Sequence, residues 1–166
     1  MTENQNGSEN PVAAQNGDTP AVQAQVVAQF IKDLSFENPN VEKLLSGPGE
    51  NPNMKLEVNV NARRMNEDLY ESAIDFTAHA TNQTGTIYQL EVVYAGIFQI
   101  KNIPEEALEP FLLINCPALL FPYLRRLASD LTREGGFPPL LLDPIDFSSL
   151  YMRRKQEGEA QSPLAS

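Results

Sequence analysis

Six carboxylates recur at alternating positions along four segments: Asp33 and Glu37, then Glu57, then Glu71 and Asp75, then Glu91. Residues of this type can do two kinds of work. They can exchange protons with a substrate if burial or crowding raises a pKa, or they can present negative potential to a cationic partner. Alternation puts all six on one open side of a sheet, where water keeps them ionised, so acid–base catalysis is the less favoured use. A solubilising face and a docking surface remain. One cation, Lys55, shares that side.

Other reactive groups offer little. The one histidine, His79, is on the polar side of a strand with no cysteine cluster near it, which argues against a metal site. The one cysteine, Cys116, lies in an apolar stretch, where a thiol is inert. Ser148 and Ser149 have no histidine close in sequence. Gly135 and Gly136 follow a helical run and suit a helix cap better than a phosphate cradle. We expect no catalytic residue, no metal and no cofactor.

The elements that position these groups are read from periodicity. The first segment sets Ala28, Phe30, Leu34 and Phe36 against Gln29, Asp33, Ser35 and Glu37. The second sets Leu56, Val58, Val60 and Ala62 against Lys55, Glu57, Asn59 and Asn61. In the third, Tyr70, Ile74, Phe76, Ala78 and Ala80 oppose Glu71, Asp75, Thr77 and His79. In the fourth, Tyr88, Leu90, Val92 and Tyr94 oppose Gln89, Glu91, Val93 and Ala95. Period two predicts half-buried antiparallel strands. Residues 63–68 and 82–85 fit hairpin turns, and 38–53, with Pro39, Pro48 and Pro52, a crossover loop. Gly96 interrupts the fourth alternation, as a bulge would.

Helix follows. Pro104 suits a first helical position, with Glu105 and Glu106 at the positive end of the dipole. The apolar run continues through Leu108, Phe111, Leu112, Cys116, Leu120 and Leu124 to Leu131, and Pro117 and Pro122 should kink or break it. Asp146 is the expected N-cap of a short second helix, with Phe147, Leu150, Tyr151 and Arg154 on one face. The fold class is therefore α+β: a four-stranded antiparallel sheet with a long, proline-interrupted helix and a short C-terminal helix packed on one face.

Residues 1–24 lack Lys, Arg and any apolar period, and read as a disordered tail. Residues 157–166 read the same way, leaving a folded domain at 25–156. The start of the chain has no basic end followed by an apolar stretch, so no signal peptide is expected. The most apolar stretch, 111–124, is shorter than the roughly 20 residues a bilayer requires and is expected to be buried in protein. Around it the helix is apolar on more than one side. A small sheet cannot cover all of that surface, so a homo-oligomer is expected. Phe137, Leu140, Leu141, Leu142, Phe147, Tyr151 and Met152 form a further apolar set, adaptable enough for varied apolar ligands. The 22 acidic residues outnumber 12 basic ones, for a net charge of -10, which argues against nucleic acid and suits a basic partner. A lone cysteine fits a reducing cytoplasm.

Five stretches in order resemble the SecB family of bacterial protein-export chaperones. They are Lys32-Asp33-Leu34-Ser35-Phe36-Glu37, Glu91-Val92-Val93-Tyr94-Ala95-Gly96-Ile97-Phe98, Cys116-Pro117-Ala118-Leu119-Leu120-Phe121-Pro122-Tyr123, Gly136-Phe137-Pro138-Pro139-Leu140, and Pro144-Ile145-Asp146-Phe147 through Tyr151. The resemblance implies a cytoplasmic, ATP-independent holdase without nucleotide or metal. It implies a homotetramer, a dimer of dimers with sheets outside and long helices between them. Its clients would be unfolded precursor proteins, delivered to the motor ATPase SecA. By the same resemblance SecA would dock on Asp33, Glu37 and Glu91, with Gln89 beside them. Clients would meet Tyr151 and Met152 on the last helix, together with Phe137 and Leu141. The crossover loop departs from the family pattern, offering Leu44, Leu45 and Met54 where a tryptophan is common. A competing reading is an acidic adaptor for one folded basic partner, which would need no apolar groove. A small-molecule enzyme would need a pocket of convergent polar groups, for which the sequence gives no sign.

Overall fold

The computed structural model describes residues 19–45 and 52–161. Strands β1 (Gln23–Glu37), β2 (Asn53–Arg64), β3 (Leu69–Asn82) and β4 (Gly85–Lys101) form one antiparallel sheet in the order β1-β4-β3-β2. Hairpins of four and two residues join β2 to β3 and β3 to β4. The β1–β2 connection passes from one edge of the sheet to the other, through a short 3-10 turn at Val41–Leu44. Helix α1 (Glu105–Pro110), a π-helical turn (Phe111–Asn115), helix α2 (Cys116–Glu134) and helix α3 (Phe147–Gln161) pack on one face. This is the α+β arrangement expected. Ile74, Phe76, Leu90, Val92 and Phe98 of the sheet meet Leu112, Leu120, Leu124 and Phe147 of the helices in one core.

Strands β2, β3 and β4 alternate as the sequence predicts, but β1 does not. Register shifts between Val26 and Ala28 and between Ile31 and Asp33 mark two bulges. The second reverses the phase of the strand. Leu34 and Phe36 pair with Val92 and Leu90 and face the helices, as expected. Phe30 and Ala28 pair with Ala95 and Ile97 and so share the outer side with Asp33 and Glu37. Gln29 pairs with Gly96 and turns to the helix side, where its Oε1 accepts a 3.2 Å hydrogen bond from the Tyr94 hydroxyl. Gly96 is not itself a bulge. A Cβ there would lie 2.9 Å from Leu120 Cδ2, so its role is close approach of α2 to the sheet.

The prolines do not break the long helix into pieces; the chain stays helical from Glu105 to Glu134. Pro117 has no N–H for the carbonyl one turn back, and its ring crowds that carbonyl. The chain widens instead, and the Cys116 N–H reaches the Phe111 carbonyl. Leu112 then has no backbone donor, since its partner in the widened turn would be Pro117. Ser72 Oγ, on β3 beside Gly96, donates to the Leu112 carbonyl at 2.8 Å in a buried site. Pro122 sits inside α2 without ending it. By length and composition alone the run Glu105–Glu134 could cross a bilayer; here it lies along the sheet, with 33% of its most apolar stretch buried.

At its end α2 closes with paired bonds, Gly136 N–H to Arg133 O and Phe137 N–H to Thr132 O, with Gly136 at φ 89°. Asp146 caps α3 as expected, its Oδ1 accepting from the Ser149 N–H at 3.1 Å and its Oδ2 from the Ser149 hydroxyl at 2.7 Å. These bonds hold the Asp146 carboxyl below its usual range. Strand β1 begins at Gln23 and α3 runs on to Gln161, so ordered structure extends into both segments expected to be tails. Beyond Gln156 only Gly158 lowers helix propensity, and the sequence 157–161 holds no proline to stop the helix. The rest of those expected tails, 1–18 and 162–166, lies outside the described residues, as does 46–51 in the crossover.

Candidate functional site

The outer face of the sheet is a grid that can be read row by row from the strand register, in the order β1, β4, β3, β2. One row is Glu37, Gln89, His79, Lys55. The next is Ser35, Glu91, Thr77, Glu57, and the third is Asp33, Val93, Asp75, Asn59. Past the Lys32 bulge come Phe30, Ala95, Ala73, Asn61, then Ala28, Ile97, Glu71, Arg63. Asp33, Glu37, Gln89 and Glu91 are thus brought together on two adjacent strands. The three carboxylates are exposed. Gln89 Nε2 donates to Glu91 Oε1 at 3.1 Å, so the amide and the carboxylate lie side by side on the exposed face.

Two of the six carboxylates are already engaged. Glu57 is 3.1 Å from Lys55 on its own strand. Glu71, expected on the open acidic face, is buried at 5% exposure and neutralised. Arg63 donates to both of its oxygens at 3.2 Å, and Lys32 donates to Oε1 at 2.7 Å. These hydrogen bonds, Arg63's first and then Lys32's, hold the Glu71 carboxyl below its usual range against the opposing effect of burial. Lys32 can reach because the bulge brings it onto the outer side. The phase break at Ile31-Lys32 was the only sequence signal for this clamp.

The remaining reactive groups are structural. His79 Nε2 lies 3.1 Å from Thr86 Oγ1. Burial pushes the Cys116 thiol up to about 12, which keeps it protonated and unreactive. Among the described residues no group of three or more His, Cys, Asp or Glu side chains could hold a metal.

The four candidate client residues are not gathered into one cleft. Tyr151 is buried in the main core. Phe137 belongs to a smaller cluster with Leu44, Ile87 and Tyr88, its ring 5.1 Å from that of Tyr88. Leu141 (74%) and Met152 (53%) are exposed. The two clusters are linked by Phe36 and Met54, which pack against both. Beside Tyr151, a cleft of about 500 Å³ between β2 and α3 has an apolar part, Val58, Val60, Leu113 and Leu150, and a charged part, Asp75, Arg153, Arg154 and Glu157. Arg154 Nη1 donates to the Val60 carbonyl at 2.6 Å, satisfying a group that edge strand β2 leaves unpaired. Sequence periodicity placed Val58 and Val60 on the helix side but gave no sign that α3 leaves a cleft there.

Comparison with known proteins places this arrangement. The family described as SecB, preprotein translocase subunit SecB, matches residues 17–158. The protein-export protein SecB of Xanthobacter autotrophicus is 43% identical over 152 residues, covering 89% of this chain and 97% of that one. That of Rhizorhabdus wittichii is 46% identical over 150 residues, covering 90% and 88%. In fold the chain is similar to a SecB-like chaperone of Mycobacterium tuberculosis solved with an antitoxin peptide, at a TM-score of 0.61 and 19% identity, covering 74% of this chain and 90% of that one. Sequence identity of this extent along both chains leaves one assignment: the protein belongs to the SecB family.

Proposed function

We propose that this chain is an ATP-independent holdase that binds unfolded precursor proteins in the cytoplasm, keeps them export-competent and passes them to the motor SecA. The observation that carries the reading is the division between the two sides of the molecule. The outer sheet face holds exposed carboxylates that make no ion pair among the described residues at Asp33, Glu37 and Glu91. The helix side keeps apolar surface that one copy does not cover, at Leu119 (54%) and Tyr123 (51%) on α2.

Each surface supports one part of the work. A tetramer, built as a dimer of dimers, covers the surplus helix surface and leaves the sheets outward. Asp33, Glu37, Gln89 and Glu91 then face solvent, where a basic element of SecA is steered onto them by complementary potential. Leu141 and Met152 offer exposed apolar contacts to a client, the cleft between β2 and α3 adds another beside Tyr151, and Phe137 backs the second cluster from below. Many weak apolar contacts along one extended chain sum to high avidity. Preferential binding of the unfolded state delays folding by mass action, so no nucleotide is consumed. The peptide bound to the Mycobacterium tuberculosis relative is consistent with a client path of this kind.

The test is aggregation of a refolding substrate with no nucleotide present. Light scattering should be suppressed as the chaperone reaches one tetramer per substrate. Scattering unchanged at a several-fold excess would remove the holdase reading.

A further inference from the structure

We infer that Asp75, on β3, belongs to the partner-docking surface and shares one basic side chain of the partner with Asp33; this rests on the docking reading above. Asp33 and Asp75 stand in the same row of the sheet, on either side of Val93. Two strand spacings separate their backbones by roughly 10 Å, and both side chains are on the outer side. Asp33 Oδ1 accepts only a local hydrogen bond, from the Leu34 N–H at 3.0 Å. Neither aspartate has an ion pair among the described residues. Glu57 and Glu71, the other outer carboxylates of β2 and β3, are both taken by cations. Among the described residues Asp75 is therefore the outer carboxylate of β2 and β3 that makes no ion pair, although it also borders the cleft that holds Arg153 and Arg154.

The surface between the two aspartates is shaped for such a group. Asp33 and Asp75 border a depression of about 470 Å³ that also includes Val93, Ala73, Lys32 and Arg63. A lysine or arginine laid there rests its aliphatic stem on Val93 and Ala73, with its charge between the two carboxylates. Lys32 and Arg63 bound the far side. Both are paired to Glu71, which lines the same depression, so the cluster keeps one net positive charge, and that disfavours a second cation placed further along.

Titration calorimetry of SecA into the full chain tests this, with circular dichroism to verify folding. Asp75→Asn should weaken binding by about five- to tenfold at low salt. Glu57→Gln, whose charge is already met by Lys55, should stay within about twofold of the native affinity. Combined with Asp33→Asn, the loss should be less than the product of the single losses, because both carboxylates serve one cation. Asp75→Ser makes the same comparison if the asparagine variant fails to fold. Native affinity for Asp75→Asn, with Asp33→Asn and Glu91→Gln weakened, would overturn the role of Asp75 and leave the docking reading standing. Multiplicative losses would overturn the shared cation. Native affinity for every variant would remove the docking reading itself.

Discussion

At the scale of single residues, charge on the outer face is governed by which carboxylates have a cation and which do not. Glu71 is the clearest case, because Lys32 and Arg63 both donate to it and its side chain is almost out of solvent. Its pKa is depressed in the folded state, so the native protein gains stability from it above the unfolded-state value near 4.5. That contribution is lost as pH falls below 4.5 and through the folded value. Glu71→Gln cannot ionise. It should lower the melting temperature by a few degrees at neutral pH, since two cations lose their acceptor. The gap to the native protein should narrow as pH drops below 4.5. Thermal melts across that range check this, and a gap independent of pH would mean that the ion pairs contribute nothing. The loss stays modest because Lys32 and Arg63 are each about half exposed and water can take them back.

At the scale of elements, what was legible in the sequence depended on whether a pattern was local. Strands β2 to β4 carry their phase in plain alternation, and Asp146 announces α3 by its own chemistry. The face of Phe30 was not legible, because the break at Ile31-Lys32, though visible in the sequence, resolves as a phase-changing bulge only when β1 is laid against β4. The acidic residues of β1 and β4 were legible as a set, since Asp33 and Glu37 lie beyond that bulge. The four candidate client residues were not legible as one set, because Phe137 and Tyr151 belong to two clusters linked through the tertiary packing of Phe36 and Met54. Pro117 signalled a disturbance in the helix but not how it would be resolved. The resolution needs Ser72, 40 positions away from Leu112. Ser72→Ala would leave the buried Leu112 carbonyl without a donor and should cost about 1–3 kcal/mol of stability, read as a lower urea midpoint. An unchanged midpoint would mean that the widened turn has another donor for that carbonyl.

The whole molecule presents a different problem, which one copy of the chain does not solve. Tyr123 and Leu119 lie one turn apart on α2 and are both half exposed, on the side of the helix turned away from Leu120, Leu124 and Ala128 in the core. The Tyr123 ring stacks on Tyr94 at 6.1 Å, and Tyr94 pairs with Ile31 on β1. Ile31 and Leu34 face the helix side yet remain exposed, while Phe36 further along β1 packs against the core. These residues form an apolar border along β1 and α2 that a second copy would cover. Burial of large apolar side chains stabilises association by about 1.5–3 kcal/mol each, and a glutamate placed among them would be desolvated without a partner. If the chain assembles as the tetramer proposed above, Leu119→Glu and Tyr123→Glu should each lower the mass measured by light scattering toward dimer or monomer, with the secondary structure retained. Asp33→Lys, on the opposite face, should leave that mass unchanged. Intact tetramers for both helix variants would mean that the surplus apolar surface is not the assembly interface. The long helix would then need another occupant, and the outward placing of the sheets would lose its physical basis.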